Sequence, residues 1–551
     1  MRTRQAKRRP SRYEHLRVPP TRTHPTPIRM SSMRALLTLA AVTLALTACS
    51  NDKQTPMPGP SGGSDEGDWK DNGAFAACKV DTASNACGSQ GSFDASGCTP
   101  GGLATLELDG VYTLHVRARN PRYGNTYSFA PLSMRLASTG TQSAGGLNLD
   151  TRLVGVAGGN IFLSASRTEG TNGVRRRSFL GCQSPEPGRL QGCFVECLNG
   201  RVEGEGTFDA KKVTVPTDEP ESSGLERVSE TPVTPGLPVD VYVTHGHAYV
   251  VSLGGGLFVY DVRDPARPVL TEHIQRTNDT YWNGVWSHGD ALYVASGVRG
   301  VIVFDLTDPA HPVEAFATGG TRTNVHTVFV YENTLLAASP APTGEVLVYD
   351  VTTPLSPRLT GAFQAAGFDA ASSYGPHDMF AFEGKLYVNF WRAGYVIGAL
   401  EQSGTPRQLG SYRYAHSTSH ASAVARYGER IIAFEGGEDW GAHLRVLDVT
   451  DPASVKLLGE HRMREHISIH NMVLSGTKLY VAWYHEGVRV LDVSTPEAPR
   501  EVAHYRTFRP DDAGRGESFY DGALGIRVPG DGYIYTVDSS RGLIILRETA
   551  P

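Results

Sequence analysis

A short apolar segment that ends in aspartate recurs along the second half of the chain, and it constrains the fold more than any other feature. Leu257–Asp261, Val301–Asp305 and Val346–Asp350 are three copies, and a proline-containing turn follows each of them. The nearly continuous apolar run predicts a buried strand, and the proline ends strand pairing because it has no N–H to donate. The repeat therefore predicts a strand, a turn and a second strand, returning about every 45 residues.

Each period contains four strand-like runs, which is typical of a β-propeller blade. In the first repeat they are Asp240–Val243, Ala248–Ser252, Leu257–Asp261 and Pro268–His273. The repeats are counted at the residue that takes the aspartate position of each: Asp261, Asp305, Asp350, Ala399, Asp448, Asp492 and Arg547. The sequence therefore predicts an all-β fold with a seven-bladed β-propeller over residues 237–551. The repeat aspartate is interpreted as a turn-forming residue, because Asp side chains accept hydrogen bonds from the backbone of the following turn.

The repeat resembles the LVIVD-repeat family, whose hallmark is a strand of the Leu-Val-Ile-Val-Asp type followed by a proline-containing turn. Val301–Asp305 and Val346–Asp350 match it closely, and the resemblance covers roughly residues 237–547. It implies a β-propeller of exported or surface bacterial proteins, most of which have no assigned activity. The fourth and seventh copies depart from the pattern at Ala399 and Arg547.

The seventh repeat ends after its third strand, so its outer edge needs a partner from elsewhere in the chain. The segment Leu225–Val233 is similar to the outer strands of the other repeats. We predict that it pairs with Leu543–Arg547 and closes the ring, so that residues 217–236 form a linker and the ring-closing strand.

A separate domain with most of the cysteines precedes the repeats. Residues 75–216 alternate apolar and polar residues between Gly and Asn turn signals, which predicts a small all-β domain, β-sandwich-like, ahead of the propeller. Six of the seven cysteines lie in it: Cys78, Cys87, Cys98, Cys182, Cys193 and Cys197. Such clustering is typical of disulfides in an oxidising compartment. A zinc site at Cys193 and Cys197 is the alternative, and the sequence leaves the disulfide pairing open.

The start of the chain predicts export and a lipid anchor. The apolar run Ala35–Leu46 follows Arg34 and is short for a membrane span, so residues 1–48 are interpreted as a signal peptide. The basic stretch 1–29 fits no standard signal, which predicts that translation starts at Met30 or Met33. Leu46–Cys49 resembles the bacterial lipobox, which implies lipidation of Cys49, and Ser50 then favours the outer membrane. Residues 49–74 are predicted to be a flexible tether. The membrane, through this anchor, is a predicted partner and the bacterial envelope the predicted location.

Nucleic acid is not an expected partner, because 57 acidic residues outnumber 52 basic ones. The predicted ligand of an interaction platform is a protein, a peptide or a glycan. Its binding face is predicted from loops that emerge around the propeller channel: Trp391, Arg392, Glu435, Trp440, His443, Tyr484, His485 and Asp521.

Four histidines occupy equivalent positions where the innermost strands of successive repeats begin. They are His326, His377, His420 and His470. Innermost strands converge on the propeller axis, so the four imidazoles are candidate ligands of one zinc, copper or iron ion. Asp378, Glu435 and Asp521 are candidates to support them. The alternative is that the four histidines are repeated structural residues. The sequence thus predicts an anchored binding platform, with a metal-dependent periplasmic enzyme as the alternative, and it fixes neither the cofactor nor the activity.

Overall fold

The computed structural model describes residues 65–81, 87–121, 126–137, 143–144, 147–148, 160–168, 173–320, 324–369, 374–400, 406–516 and 518–549. The predicted signal peptide and Cys49 lie outside these residues. The described chain is built of β-strands, with short 3-10 helices at Gln90–Ser92 and Pro452–Ser454. Within it, no helix has the length and apolar character needed to span a membrane.

Seven antiparallel sheets follow one another in the repeat region and form the predicted all-β propeller. In six of them the strands are in chain order from the innermost to the outermost. Blade 1 contains Leu237–Thr244, His247–Leu253, Gly256–Asp261 and Val269–Ile274. Blade 2 contains Trp282–His288, Ala291–Ser296, Gly300–Asp305 and Val313–Ala317. Blade 3 contains Thr327–Tyr331, Thr334–Ser339, Glu345–Asp350 and Arg358–Phe363.

The later blades repeat this order. Blade 4 contains Asp378–Phe382, Lys385–Asn389, Tyr395–Ala399 and Arg407–Tyr412. Blade 5 contains Ser419–Tyr427, Arg430–Gly437, Leu444–Asp448 and Lys456–His461. Blade 6 contains Met472–Ser475, Lys478–Trp483, Gly487–Asp492 and Arg500–Tyr505, with the short strand Ser222–Ser223 added outside. Blade 7 begins with Ala523–Arg527, Ile534–Asp538 and Gly542–Glu548.

The fourth strand of blade 7 comes from the segment before blade 1. Leu225–Thr231 pairs antiparallel with Gly542–Glu548, from Leu225 opposite Glu548 to Thr231 opposite Leu543. The innermost strand of each blade contacts that of the next, and Ala523–Arg527 contacts Leu237–Thr244. The ring is therefore closed by a strand that is remote in sequence from its partner.

The repeat aspartates form turns, as predicted. Asp305 Oδ1 accepts a hydrogen bond from the backbone N–H of Thr307 at 2.8 Å, and Asp350 does the same with Thr352 at 2.9 Å. The turn hydroxyl also donates to the same carboxylate in both blades. These interactions fix where the outermost strand starts, so the repeat motif is part of the scaffold.

The cysteine-containing domain consists mainly of one eight-stranded antiparallel sheet, which we call the N-terminal barrel. Its strands are Gly110–Arg119, Ser128–Leu136, Ser143–Ala144, Leu147–Asn148, Ile161–Thr168, Val174–Gln183, Arg189–Leu198 and Arg201–Lys212. The first pairs with both the second and the last, and the other strands follow outward in chain order. The sheet curls until its edge strands, Leu147–Asn148 and Ile161–Thr168, lie side by side.

The sequence predicts a sandwich-like pair of sheets here, and the structure has a single curled sheet instead. The reason is the pairing of Gly110–Arg119 with Arg201–Lys212, which joins the two meanders edge to edge. The concave side encloses an apolar core that includes Tyr112, Phe179 and Phe208.

Three disulfides attach the segment before the barrel to its strands. They join Cys78 to Cys193, Cys87 to Cys197 and Cys98 to Cys182. The disulfides predicted from the six cysteines are thus confirmed. The pair Cys193 and Cys197, considered above as a zinc site, belongs to two different disulfides.

The segment 65–71 is held against blade 5. The buried guanidinium of Arg445 donates from Nε to Asp65 Oδ2 at 2.7 Å and from Nη2 to Asp68 Oδ1 at 2.8 Å. Trp69 stacks on His416 with ring centroids 3.7 Å apart. The predicted tether, residues 49–74, therefore ends earlier than its composition indicates, because two acids in it bind the buried guanidinium of Arg445 and its tryptophan stacks on His416.

The N-terminal barrel covers part of the propeller's upper face, the side where the loops between second and third strands emerge. His115 of the barrel stacks on Trp440 of blade 5, with centroids 5.2 Å apart and an interplanar angle of 8°. Arg135 Nη1 donates to the carbonyl of Pro510 at 2.7 Å, between blades 6 and 7. The upper face is therefore covered near blades 5 to 7.

Ring closure can be tested with two acids on the closing strand. Glu230 accepts a hydrogen bond from Arg541 Nε at 3.0 Å, and the Arg541 side chain is only 2% exposed. Glu226 binds Arg547, whose side chain is 53% exposed. We expect Glu230→Ala to lower the free energy of unfolding by about 1–3 kcal/mol, because it leaves a buried guanidinium short of acceptors.

The matched control, Glu226→Ala, should lower the free energy of unfolding much less than Glu230→Ala does, since exposed ion pairs contribute little. Urea unfolding of both variants measures the difference. Equal decreases in the free energy of unfolding for the two variants would contradict a stabilising role of the bond between Glu230 and Arg541 in ring closure.

Candidate metal centre

The innermost strands place four histidines at the upper mouth of the channel. Three of them hold the same position in their blades, because their backbone N–H groups donate to the second strand. These bonds join His326 to Ala338 at 2.8 Å, His377 to Asn389 at 2.8 Å and His470 to Ala482 at 3.0 Å. His420 lies at a β-bulge between Ser419 and Ala421. A bulge redirects a side chain, which is why such irregularities are frequent next to functional sites.

The four imidazoles stand in a row around one side of the channel. Ring centroids are 4.0 Å apart from His326 to His377, 4.0 Å from His377 to His420 and 4.5 Å from His420 to His470. The structure thus brings together all four histidines that the sequence predicts as candidate ligands.

One buried carboxylate faces three of these imidazoles. Glu438 Oε2 lies 3.6 Å from Nε2 of His420 and 3.9 Å from Nε2 of His377, and Glu438 Oε1 lies 3.6 Å from Nε2 of His470. Ligand atoms of His377, His420 and Glu438 all lie within 4.8 Å of one another. These three residues and His470 form what we call the His/Glu cluster.

The separations within the cluster suit a metal ion better than direct hydrogen bonds. A nitrogen and an oxygen 3.6 Å apart are too distant for a normal hydrogen bond. Two ligands of a tetrahedral zinc ion, each bound at about 2.0–2.2 Å, lie roughly 3.4 Å from each other. The distances around Glu438 are thus slightly larger than those around a bound ion. Two imidazoles and a carboxylate are also a common donor set for zinc and iron.

The groups around the cluster orient its donor atoms. His470 Nδ1 donates to the carbonyl of Leu524 at 2.9 Å, which leaves the Nε2 lone pair directed at Glu438. The Tyr484 hydroxyl donates to Glu438 Oε1. His420 is 2% exposed, and its Nε2 has no hydrogen-bond partner among the described residues. Hydrogen bonds of this kind orient the ligands of known metal sites, and an unpaired buried nitrogen is costly unless something binds it.

Burial keeps the cluster uncharged in the metal-free protein. It lowers the pKa of His326 to about 3 and that of His470 to about 4, and it lowers the pKa of His377 and of His420 well below the usual value. Burial also raises the pKa of Glu438 to about 8. Neutral imidazoles keep a lone pair, the form in which histidine binds metals.

His326 differs from the other three because its ring is already bonded. The Tyr281 hydroxyl lies 2.8 Å from Nδ1, and Asn283 Nδ2 lies 3.3 Å from Nε2. His326 therefore lies beside the cluster and is not one of the three histidines that face Glu438. Asp378, which follows His377, accepts a hydrogen bond from the N–H of Met379 at 2.8 Å, and burial raises its pKa to about 7.

Aromatic side chains form a rim around the cluster. Trp391 stacks on His377 at 5.1 Å, Tyr374 lies 5.8 Å from Trp391, and Tyr520 lies 5.7 Å from Tyr484. Trp391 and Tyr484 have φ angles of +47° and +28°, which are strained for residues other than glycine. Their backbones bridge to Ser419 and Ala523 on the next blade, which holds both rings over the channel.

Several residues predicted for the binding face are buried or covered. Glu435 is fully buried and accepts a hydrogen bond from the Tyr414 hydroxyl at 3.2 Å. Trp440 lies beneath the N-terminal barrel, and His443 is bonded to Glu460 and lies beside Asp68. The remaining two are His485, which has no exposed surface, and Asp521, which binds Arg515 at 2.7 Å.

The burial of these residues has a physical reason. The predicted face assumes an open propeller, whereas the barrel and segment 65–71 cover it near blade 5. Trp391 and Arg392 remain at the open side, and Tyr484 points inward to Glu438.

Glu438 is the residue that the sequence analysis does not single out. It begins the connection between the second and third strands of blade 5, residues 438–443, which is longer than the two-residue connection of blade 1. The extra length lets the carboxylate reach the histidines of blades 4, 5 and 6. Unequal loop length, together with the acidic pair Glu438 and Asp439, is the signal that identifies it.

Comparison with known proteins agrees with the repeat assignment. The LVIVD repeat model matches residues 235–275, 281–318 and 469–507, which correspond to blades 1, 2 and 6. The chain therefore contains LVIVD repeats. No curated protein matches it.

Three solved structures illustrate what the fold is similar to. A chain of a mitotic checkpoint complex has 14% identity and a TM-score of 0.44, with 61% of this chain and 100% of that chain covered. The WD40 β-propeller domain of Doa1 has 13% identity and a TM-score of 0.44, with 59% and 97% covered. The computationally designed Ika8 protein has 10% identity and a TM-score of 0.41, with 58% and 99% covered. The number of blades follows from the strand pairing of this chain itself.

The unpaired nitrogen of His420 makes a prediction about stability. Replacing a buried polar group that lacks a partner by an apolar group of similar shape removes a desolvation cost. We expect His420→Phe to raise the free energy of unfolding of the metal-free protein by about 1 kcal/mol, as measured by urea unfolding in a chelating buffer. A decrease of similar size would show that His420 is a structural residue of the blade.

Proposed function

We propose that this protein is a metal-binding protein of the bacterial envelope, and that its His/Glu cluster holds one divalent transition-metal ion for chemistry on a small molecule. The observation that carries the proposal is the convergence of three imidazole nitrogens on the two oxygens of Glu438, at 3.6 to 3.9 Å. His377, His420 and Glu438 supply the central set of ligands, and His470 approaches the other carboxylate oxygen.

The arrangement suits an ion that keeps an open coordination position. The cluster is buried on the side of blades 5 and 6, but Tyr374, across from it, is 45% exposed. The exposed ring of Tyr374 supports access of a small molecule to the ion from this side. A metal ion in such a site acts as a Lewis acid and lowers the pKa of a bound water molecule.

The envelope location rests on the predicted signal peptide, on lipidation of Cys49 and on the disulfides. The three disulfides support an oxidising compartment, since they are rare in the cytosol. Lipidation of Cys49 and sorting to the outer membrane remain part of the proposal, because that region lies outside the described residues. They make the membrane the proposed partner.

An interaction platform for a protein, a peptide or a glycan is the second proposal. Apolar side chains on the outermost strand of blade 2 favour it, since Val313 is 67% and Phe316 is 43% exposed. Exposed apolar residues on a sheet edge are suited to contact with another protein. A platform of this kind needs no metal ion, so the metal content of the purified protein distinguishes it from the proposed metal centre.

Metal content is the direct test. We expect protein purified without a His tag to bind about one equivalent of zinc, copper or iron per chain, as measured by inductively coupled plasma mass spectrometry after dialysis against one metal at a time. The double variant His377→Ala/His420→Ala should lose that equivalent, because two ligands of one ion are removed.

The matched control is His245→Ala/His311→Ala, which removes two exposed histidines elsewhere in the propeller. It should retain the metal. A folded wild-type protein that binds none of the three metals, or a His377/His420 variant that retains its equivalent, would refute the proposed centre.

A further inference from the structure

The open side of the His/Glu cluster has two features that the metal ligands do not explain. The first is a wall of aromatic rings that remain partly accessible to solvent: Tyr281, Tyr374, Trp391 and Tyr520. The second is a cation, Arg392, which follows Trp391 directly. These features define the kind of molecule that fits beside the ion.

The aromatic wall surrounds the same space as the cluster. Tyr374 lies 6.3 Å from His377, and Trp391 lies 5.1 Å from His377. Tyr281 is bonded to His326, and Tyr520 stands next to Tyr484. Partly exposed rings around a concave site favour a flat apolar ligand, because stacked and edge-to-face contacts are both available to it.

Arg392 is exposed and has no hydrogen bond or ion pair with any described residue. It directly follows Trp391, whose ring stacks on His377 of the cluster with centroids 5.1 Å apart. Most arginines at this end of the propeller are paired, such as Arg515 with Asp521 and Arg541 with Glu230. A guanidinium has five N–H donors in a planar fork and binds carboxylates through two of them, so an unpaired one at a site is a suitable anchor for a carboxylate.

The charges around the site also favour an anion. A divalent ion exceeds the single negative charge of Glu438, and Arg392 adds another positive charge. The negative charge of Asp439 offsets one of these positive charges. The side open to solvent is thus net positive when the ion is bound, which disfavours an aromatic cation despite the aromatic rings.

We propose that the open side of the metal centre binds a small planar aromatic carboxylate, with its ring against Trp391 and Tyr374 and its carboxylate between the ion and Arg392. The proposal rests on the proposed metal centre and adds the class of its ligand. It makes Arg392 and the aromatic rim the residues that determine specificity.

Isothermal titration calorimetry with four simple probes tests this assignment. We expect benzoate to bind the metal-loaded protein at least tenfold more tightly than cyclohexanecarboxylate, which has no aromatic ring, or benzyl alcohol and benzylamine, which have no negative charge. Arg392→Gln should weaken benzoate binding about tenfold or more and leave the metal content unchanged. Tyr374→Ser should weaken benzoate more than cyclohexanecarboxylate.

Arg407→Gln is the matched control, because Arg407 is an exposed arginine on the outermost strand of the same blade. It should bind benzoate as the wild type does. Tighter binding of benzylamine than of benzoate, or equal benzoate affinity of the wild type and Arg392→Gln, would overturn the assignment.

Metal analysis of the same samples separates the two proposals. Full metal content with no benzoate binding refutes the ligand class and leaves the metal centre standing. Absence of metal refutes the centre, and the benzoate titration of that protein still decides the ligand class, because Arg392 and the rim belong to the chain itself. In that case, absence of benzoate binding overturns the assignment as well.

Discussion

Pairing of Leu225–Thr231 with Gly542–Glu548 closes the ring of blades, and the geometry of the channel depends on it. The innermost strand of each blade contacts that of the next, and the ring of contacts is complete once the seventh blade meets the first. The histidines of blades 3 to 6 stand 4.0 to 4.5 Å apart because their strands begin at the same radius of a closed ring. The geometry of the candidate site thus depends on ring closure at blade 7, which is next to blade 6.

The His/Glu cluster costs stability in the metal-free protein. Burial opposes charge on every imidazole and on Glu438, so the site does not gain from ion pairing. His420 Nε2 has no partner, and the backbones of Trp391 and Tyr484 have positive φ angles. Residues with such costs are concentrated at sites where a ligand compensates for them.

The fold was predictable because its signals are local and repeated. The strand that ends in Asp and the proline turn after it define each blade, and the hydrogen bonds of Asp305 and Asp350 show why that order recurs. The four histidines were predictable for the same reason, since the repeats fix their register. The sandwich-like interpretation of the N-terminal domain fails in detail, because alternating strands do not reveal that Gly110–Arg119 pairs with Arg201–Lys212.

Contacts between the domains were not predictable from local patterns. Trp440 and His443 have the composition of a binding face, but His115 and Asp68, more than 300 residues earlier, cover them. Glu438 was missed because it lies in a connection between strands, where length and sequence vary from blade to blade and the repeat does not fix the position of a side chain. The repeated sequence pattern identifies residues that all blades share. A functional residue that occurs in one blade lies where the sequence of that blade differs from the pattern.

The measurement that bears most directly on the central claim is anomalous X-ray diffraction from crystals of metal-free protein soaked with cobalt(II). The account predicts one strong anomalous peak at the channel mouth, with ring nitrogens of His377 and His420 and an oxygen of Glu438 within about 2.0–2.2 Å of it. Anomalous density only at exposed histidines such as His245 and His311, with none between His420 and Glu438, would contradict it.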